Sequence, residues 1–265
     1  MIAEIQSISL IDREMLRVCH YGRKMLSCLE GYGIGYSFCR FFRLTDHGAT
    51  AYLMLQNSTL LISTQDDFSE YEDTHRELTL FIEMHQPFRV EGNQSLLMGL
   101  RLSEYQTLRR SIFALRPYPL SPVFDRTQIN TNPKLDDVYQ ILSEGFPNLI
   151  GYDIWLTDTS HMVRRGLRSC YTYFGVTAAT AVYDYENHVL IGQVATKAAA
   201  RGKGYARDFL RWIAGNLSEQ GKDGILYALD LRASFYQEIG FSLVGTEYVW
   251  EQLDSEPNAK QKEAL

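Results

Sequence analysis

Arg201-Gly202-Lys203-Gly204-Tyr205-Ala206 lies between a strand-like run, His188 to Thr196, and a helix-like run, residues 205–217, so its two glycines fall where a sheet hands over to a helix. A helix start presents backbone N–H groups without intrahelical partners at the positive end of the macrodipole, and glycines let an anion approach those amides closely. The stretch is expected to cradle a phosphate.

Working outward, residues 224–229 read as a buried strand, 231–239 as a short helix stopped by Gly240, and 241–252 as a final strand. Upstream, Asn132-Pro133 opens a helix with Leu135, Val138, Ile141 and Leu142 on one face and Gly145 at its stop, and a second helix over 152–165 ends at Gly166. Residues 168–175, 176–185 and 188–196 read as three strands, the last two joined by a tight turn at Glu186-Asn187. The first half gives a shorter version of this order. Ser9 to Asp12 looks like a capping box for a helix carrying Met15, Val18, Met25 and Leu29 up to Gly31, and strands follow over 34–44, 49–56 and 58–64. Ser69 with Glu72 caps the next helix, which bears Leu78, Phe81 and Ile82 and ends before Pro87. Residues 95–100 are expected as a strand, and Ser103 with Gln106 as the start of a helix through Leu108 and Ile112 to Leu115. Between them and the second half, Pro117, Pro119 and Pro122 space a segment with no period. The domains are therefore expected at 1–116 and 132–265, with 117–131 as linker and a polar, fraying tail from Asp254.

Three glycine-rich phosphate motifs compete for the opening stretch. A P-loop needs Lys-Ser/Thr after its last glycine, and Gly204 is followed by Tyr205. A dinucleotide fingerprint needs a third small residue where Arg207 stands. What remains is Arg201-x-x-Gly204-x-Ala206, which resembles the acetyl-CoA motif of the GNAT superfamily of N-acetyltransferases. Phe235-Tyr236-Gln237-Glu238-Ile239-Gly240-Phe241 is similar to that family's F-Y-x-x-x-G-F segment, and Val194-Ala195-Thr196 looks like the end of its splayed strand. The resemblance covers residues 132–252. Departures are Lys197-Ala198-Ala199-Ala200, where many relatives carry proline, and Asp230, where many carry Asn.

The resemblance implies an α+β fold in tandem, each half a mostly antiparallel mixed sheet flanked by helices, with acetyl-CoA as co-substrate. Arg201, Gly202, Lys203, Gly204, Tyr205 and Ala206 would hold the pyrophosphate, Val194, Ala195 and Thr196 would meet the pantetheine arm, and the Val194 amide would meet the oxyanion. Tyr236 occupies the position of the general acid. A phenol stays protonated at neutral pH and can donate to the CoA sulfur as charge develops on it. The implied reaction is direct attack of a primary amine, on a small molecule or peptide, upon the thioester. A non-catalytic acyl-CoA sensor is the alternative, and an aminoacyl transferase using charged tRNA a third reading that the acidic charge opposes. In the first half, Gln65-Asp66-Asp67-Phe68-Ser69 stands at the corresponding loop, and its carboxylates would repel a pyrophosphate.

At 265 residues with 45% hydrophobic content the chain can bury a sizeable core, and its net charge of −6 opposes a nucleic-acid or anionic-membrane partner. Cys19, Cys28, Cys39 and Cys170 show no CxxC pairing, and no run approaches the ~20 apolar residues of a membrane span. The expectations are a cytoplasmic protein without a metal, with homodimerisation left open. Gly31-x-Gly33-x-Gly35 follows a helix and reads as a stop, His161 as a surface residue, and Cys170 as a buried strand thiol.

Overall fold

The computed structural model describes residues 1–253; the tail expected to fray lies outside the described residues. Two compact units emerge, Met1–Arg109 joined by the segment from Glu247, and Arg110–Thr246.

In the first unit, β1 (Ile2–Glu4) precedes α1 (Arg13–Arg17) and α2 (His20–Tyr32), followed by β2 (Cys39–Asp46), β3 (Ala49–Gln56), β4 (Thr59–Thr64), α3 (Glu72–His85), β5 (Arg89–Gly92) and α4 (Gln94–Leu97). The strand β6 (Tyr105–Ala114) begins here, and its residues 110–114 belong to the second unit. The expected first helix is two helices. Asp12 caps α1 by accepting from the Met15 amide at 3.0 Å, and the Cys19 sulfur caps α2 by accepting from the Gly22 amide at 3.4 Å. Gly22 permits the break, because a Cβ there would lie 2.0 Å from the Leu16 carbonyl oxygen.

Two further expectations fail here. Residues 95–100 are not a strand but α4 and the turn after it, the strand being β5. The helix expected over 103–115 is the strand β6, whose Leu108 and Ile112, with Leu115 just after it, stand at helical spacing.

The second unit repeats the order. It runs β7 (Ile129–Asn130), α5 (Leu135–Ser143), α6 (Tyr152–Arg164), β8 (Ser169–Tyr173), β9 (Thr177–Tyr185), β10 (His188–Thr196), α7 (Tyr205–Glu219), β11 (Asp223–Leu229), α8 (Asp230–Glu238) and β12 (Ser242–Gln252). Residues 247–252 of β12 return to the first unit.

The sheets show a strand exchange. In the first unit the order is β1-β2-β3-β4-β5-β12, with β4 and β5 parallel and Trp250 opposite Val90 at the β12 edge. In the second it is β7-β8-β9-β10-β11-β6, with β10 and β11 parallel and Phe113 opposite Leu226 at the β6 edge. Each set of five strands is completed by the sixth strand of the other. Phe113 is fully buried among Leu226, Tyr236 and Phe241. Arg89 donates from Nε to Glu251 at 2.8 Å across the β5–β12 edge.

Residues 117–131, expected as linker, pack onto the second unit. Tyr118 lies on Gly240, where a Cβ would come within 2.2 Å of its ring, and the Arg211 guanidinium sits over the Tyr118 ring at 4.3 Å from the centroid. Arg211 also donates to the Ile239 carbonyl at 3.1 Å, Phe124 packs on Tyr173, and β7 pairs with β8. The absence of period in this stretch reflects a strap, held by side chains and by the two-residue β7.

Candidate functional site

Four residues of parallel register bind β10 to β11, from His188↔Asp223 to Ile191↔Leu226. Among the described residues the register ends there, and β10 continues to Thr196 paired only on its β9 side, through Gly192↔Thr180, Ala195↔Ala178 and Thr196↔Thr177. Gln193 and Val194 together face Ala179, which makes a β-bulge, and Gln193 takes φ 48° to form it. The Thr180 hydroxyl steadies the bulge by sharing its one proton between the Gly192 carbonyl at 3.2 Å and the Gln193 side-chain oxygen at 3.1 Å. A strand edge five residues long thus turns away from β11 with its main chain open to an extended guest.

The side chains of this edge alternate as a strand requires. Val194 packs on the cluster that holds Phe209, Ile213 and Tyr236, while Ala195 packs against Val138, Ile141 and Leu142 of α5. Thr196 shares a hydroxyl hydrogen bond of 3.0 Å with Thr177.

Directly after β10, a 3-10 turn over Ala198–Ala200 leads into the glycine stretch. Gly202 and Gly204 have φ 77° and 82°, and among the described residues nothing but their chain neighbours lies within 4 Å of a Cβ built on either, so glycine is favoured there by backbone conformation rather than by space. Gly204 is the cap of α7, no side chain caps that helix, and the stretch from Arg201 to Gly204 is exposed. The amides of a fifteen-residue helix therefore point from an uncapped start.

The Arg201 guanidinium is engaged by two backbone carbonyls. Its Nε donates to the Thr196 carbonyl at 3.0 Å and a terminal nitrogen donates to the Glu144 carbonyl at 2.7 Å, which ties the loop to β10 and to the end of α5. Glu144 returns the link, its carboxylate accepting from the Ala198 amide at 2.7 Å. Beside it, Gly145 makes room for the splayed strand, since a Cβ there would lie 2.6 Å from the Ala195 Cβ. Glu144, Gly145 and the bulge at Gln193 are site residues that no motif singled out; only the glycine at the α5 stop offered a signal, and it read as a helix end. Lys203 is exposed on the loop, and Tyr205 and Ala206 open α7 half-buried.

Tyr236 is the buried residue of α8, 8% exposed, with its ring 5.5 Å from Phe113 and stacked on Phe241 at 6.4 Å. Burial pushes its phenol above the ordinary value, opposed by the Arg232 charge. Val194, Tyr205 and Tyr236 thus share one hydrophobic cluster. Cys170 is buried and its thiol is pushed up to about 11, far from a nucleophile at neutral pH. Among the described residues no group of three or more His, Cys, Asp and Glu side chains could hold a metal ion, and no helix is long and apolar enough to cross a membrane.

The corresponding place in the first unit is closed. The β4–β5 register ends at Ile62↔Gly92, but Asn93 then bridges the gap, its amide donating to the Ile62 carbonyl at 3.2 Å and its side-chain oxygen accepting from the Thr64 amide at 3.0 Å. In the loop that follows, Asp66 accepts from the Thr50 amide at 2.7 Å and Asp67 from the Ser69 amide at 2.9 Å, which holds the Asp67 carboxyl below the usual carboxylate range. Phe68, directly after them, is fully buried. Two hydrogen-bonded carboxylates and an apolar plug stand where the second unit has left-handed glycines.

The sequence matches no protein-family model and no curated protein. Solved structures do match. A GCN5-related N-acetyltransferase from Sphaerobacter thermophilus superposes with a TM-score of 0.60 at 15% identity over 87% of this chain and 85% of that one. A GNAT-family acetyltransferase from Colwellia psychrerythraea gives 0.58 at 12% identity over 96% and 100%, and a GCN5-related N-acetyltransferase from Kribbella flavida gives 0.56 at 12% identity over 80% and 90%. Coverage of this extent takes in both units. With the mixed sheets, the parting of parallel strands and the glycine turn into α7, these likenesses establish that the chain has the fold of the GNAT superfamily.

Proposed function

We propose that the chain is an acetyl-CoA-dependent N-acetyltransferase with one CoA site, in the second unit, acting on a primary amine of a small molecule or peptide. The observation that carries the reading is the parting of β10 from β11 after Ile191, directly ahead of the left-handed glycines 202 and 204. An open strand edge suits the amide-bearing pantetheine arm, and the uncapped start of α7 suits the pyrophosphate. Val194 and Thr196 would meet the arm. The loop from Gly202 to Ala206 would meet the phosphates, with Lys203 adding charge and Arg201 holding the loop in place.

In the reaction a neutral amine attacks the thioester carbon, a C–N bond forms and the C–S bond breaks. Tyr236 donates its proton to the departing sulfur, and the proton shed by the amine nitrogen restores the phenol through water. The amide of Val194, in the bulge, would meet the developing oxyanion. The first unit, with its bridged gap and acidic loop, is proposed as a relic of the same duplication that binds no CoA.

A second reading, an acyl-CoA sensor without turnover, is favoured by one observation: the Tyr236 ring is packed as a core residue. Acetyl-CoA titrated calorimetrically should bind once per chain, CoA release should follow on some member of an amine panel, and Gly204→Val should abolish the binding heat. Binding without release on any amine would favour the sensor. Absence of binding would remove both readings.

A further inference from the structure

The β8–β9 connection carries an aromatic residue where its backbone asks for a small one. Phe174 and Gly175 both take positive φ, 52° and 62°, in the three-residue connection 174–176 between the paired Tyr173 and Thr177, and two successive residues at positive φ are the positions where turns prefer Asn-Gly or Gly-Gly. A bulky side chain at positive φ is disfavoured. The Phe174 ring gains little burial in exchange, since it is 42% exposed, whereas Tyr173 beside it is 2% exposed.

The turn is held firmly against the glycine loop. The Phe174 amide donates to the Gln128 carbonyl at 3.1 Å, and the Lys197 amide donates to the Val176 carbonyl at 2.8 Å, so the residue that opens the loop is hydrogen-bonded to the residue that closes the turn. Phe174 lies 5.5 Å from Tyr205, the first residue of α7, and both rings rest on Tyr173, at 4.8 and 5.8 Å. Exposed Arg201, Lys203 and Arg207 give the surroundings a positive charge. An exposed aromatic face thus stands beside a cationic, glycine-lined helix start.

We propose that Phe174, supported by Tyr173 and Tyr205, is the stacking platform for the adenine base of CoA; the inference rests on the CoA reading above. With the pantetheine arm along β10, the adenosine end is left on the outer side of the loop, where these rings are. A purine offers a π face to an aromatic ring without needing a set hydrogen-bond pattern, and its attached phosphates suit the neighbouring cations. Phe174 would then repay its backbone conformation through the ligand.

The test compares CoA with 4′-phosphopantetheine, which lacks the adenosine together with its 5′- and 3′-phosphates, by calorimetry on the full chain. Phe174→Asn keeps a residue suited to the turn and removes the ring; Phe174→Tyr keeps the ring. CoA affinity should fall about tenfold in Phe174→Asn and stay within about twofold of wild type in Phe174→Tyr, while phosphopantetheine affinity should be the same in all three. Unchanged CoA affinity in Phe174→Asn would overturn the proposal. So would an equal loss for both ligands, or wild-type protein that binds phosphopantetheine as tightly as CoA. If wild-type protein binds neither ligand, the CoA reading itself falls and takes the platform with it.

Discussion

Tyr236→Phe removes one oxygen and leaves a ring that is packed against Phe113 and Phe241, so it separates chemistry from architecture at a single atom. If the phenol protonates the leaving thiolate, kcat should fall by about 10²-fold, the range of one general acid, with little change in acetyl-CoA affinity. Stability should shift by no more than about 1 kcal/mol, the net value of an ordinary hydrogen bond. The pH profile follows from the sign of the shift. Burial raises the phenol above its usual value of about 10, and the protonated form is the donor, so Tyr236 stays active through neutral pH and is lost only above about 10. An amine acceptor gains reactivity as pH rises towards its own pKa. Wild-type kcat/KM should therefore climb from pH 6 to 9 without a descending limb. A limb falling below pH 9, or turnover unchanged in Tyr236→Phe, would take the acid role away from this residue.

Among the elements, those around the site were legible because their periods are local. β10 has the bounds read from its alternation, and α7 starts at the residue where the glycines end. The elements that escaped are held by distant partners. β5 has the sequence Arg-Val-Glu-Gly, too polar for a strand by itself, yet Arg89 is paired to Glu251 and Glu91 to Lys24. β6 shows its apolar residues at helical spacing and becomes a strand because residues 110–114 are hydrogen-bonded to β11. The splay of β10 from β11, the bulge at Gln193 and the carbonyls that occupy Arg201 are properties of paired backbones, which no single stretch encodes. The fit between α5 and β10 gives a test at this scale. Gly145→Ala would drive a methyl group to 2.6 Å from the Ala195 Cβ, and overpacking of this kind costs about 1–3 kcal/mol. The strand pushed aside is the one proposed to meet the pantetheine arm, so acetyl-CoA affinity should fall along with stability. Ala195→Gly in the same chain should recover part of both, measured by urea unfolding and calorimetry. No recovery would mean that the contact is not what limits the variant.

For the whole molecule, one order of elements, strand, two helices, three strands, helix, strand, helix, strand, occurs twice, and each occurrence gives its last strand to the other unit. A cut in the proline-spaced segment would therefore not release two domains. A chain of residues 117–265 lacks β6, and with it Phe113, which is fully buried in the second unit's core. Truncating a core Phe to Ala alone costs about 3–5 kcal/mol, and a whole domain has a stability of about 5–15 kcal/mol. A chain of residues 1–116 lacks β12, leaving the β5 edge open and Arg89 without the Glu251 carboxylate that accepts from it. Neither piece should unfold cooperatively when expressed alone. Expressed together, the two should exchange their last strands, recover a cooperative transition, and bind one acetyl-CoA per pair of pieces. If residues 117–265 alone unfolded cooperatively and bound acetyl-CoA with the affinity of the intact chain, the exchanged strand would be dispensable to the unit it completes. The repeat would then be two independent folds, and the half proposed to bind CoA would need nothing from the other.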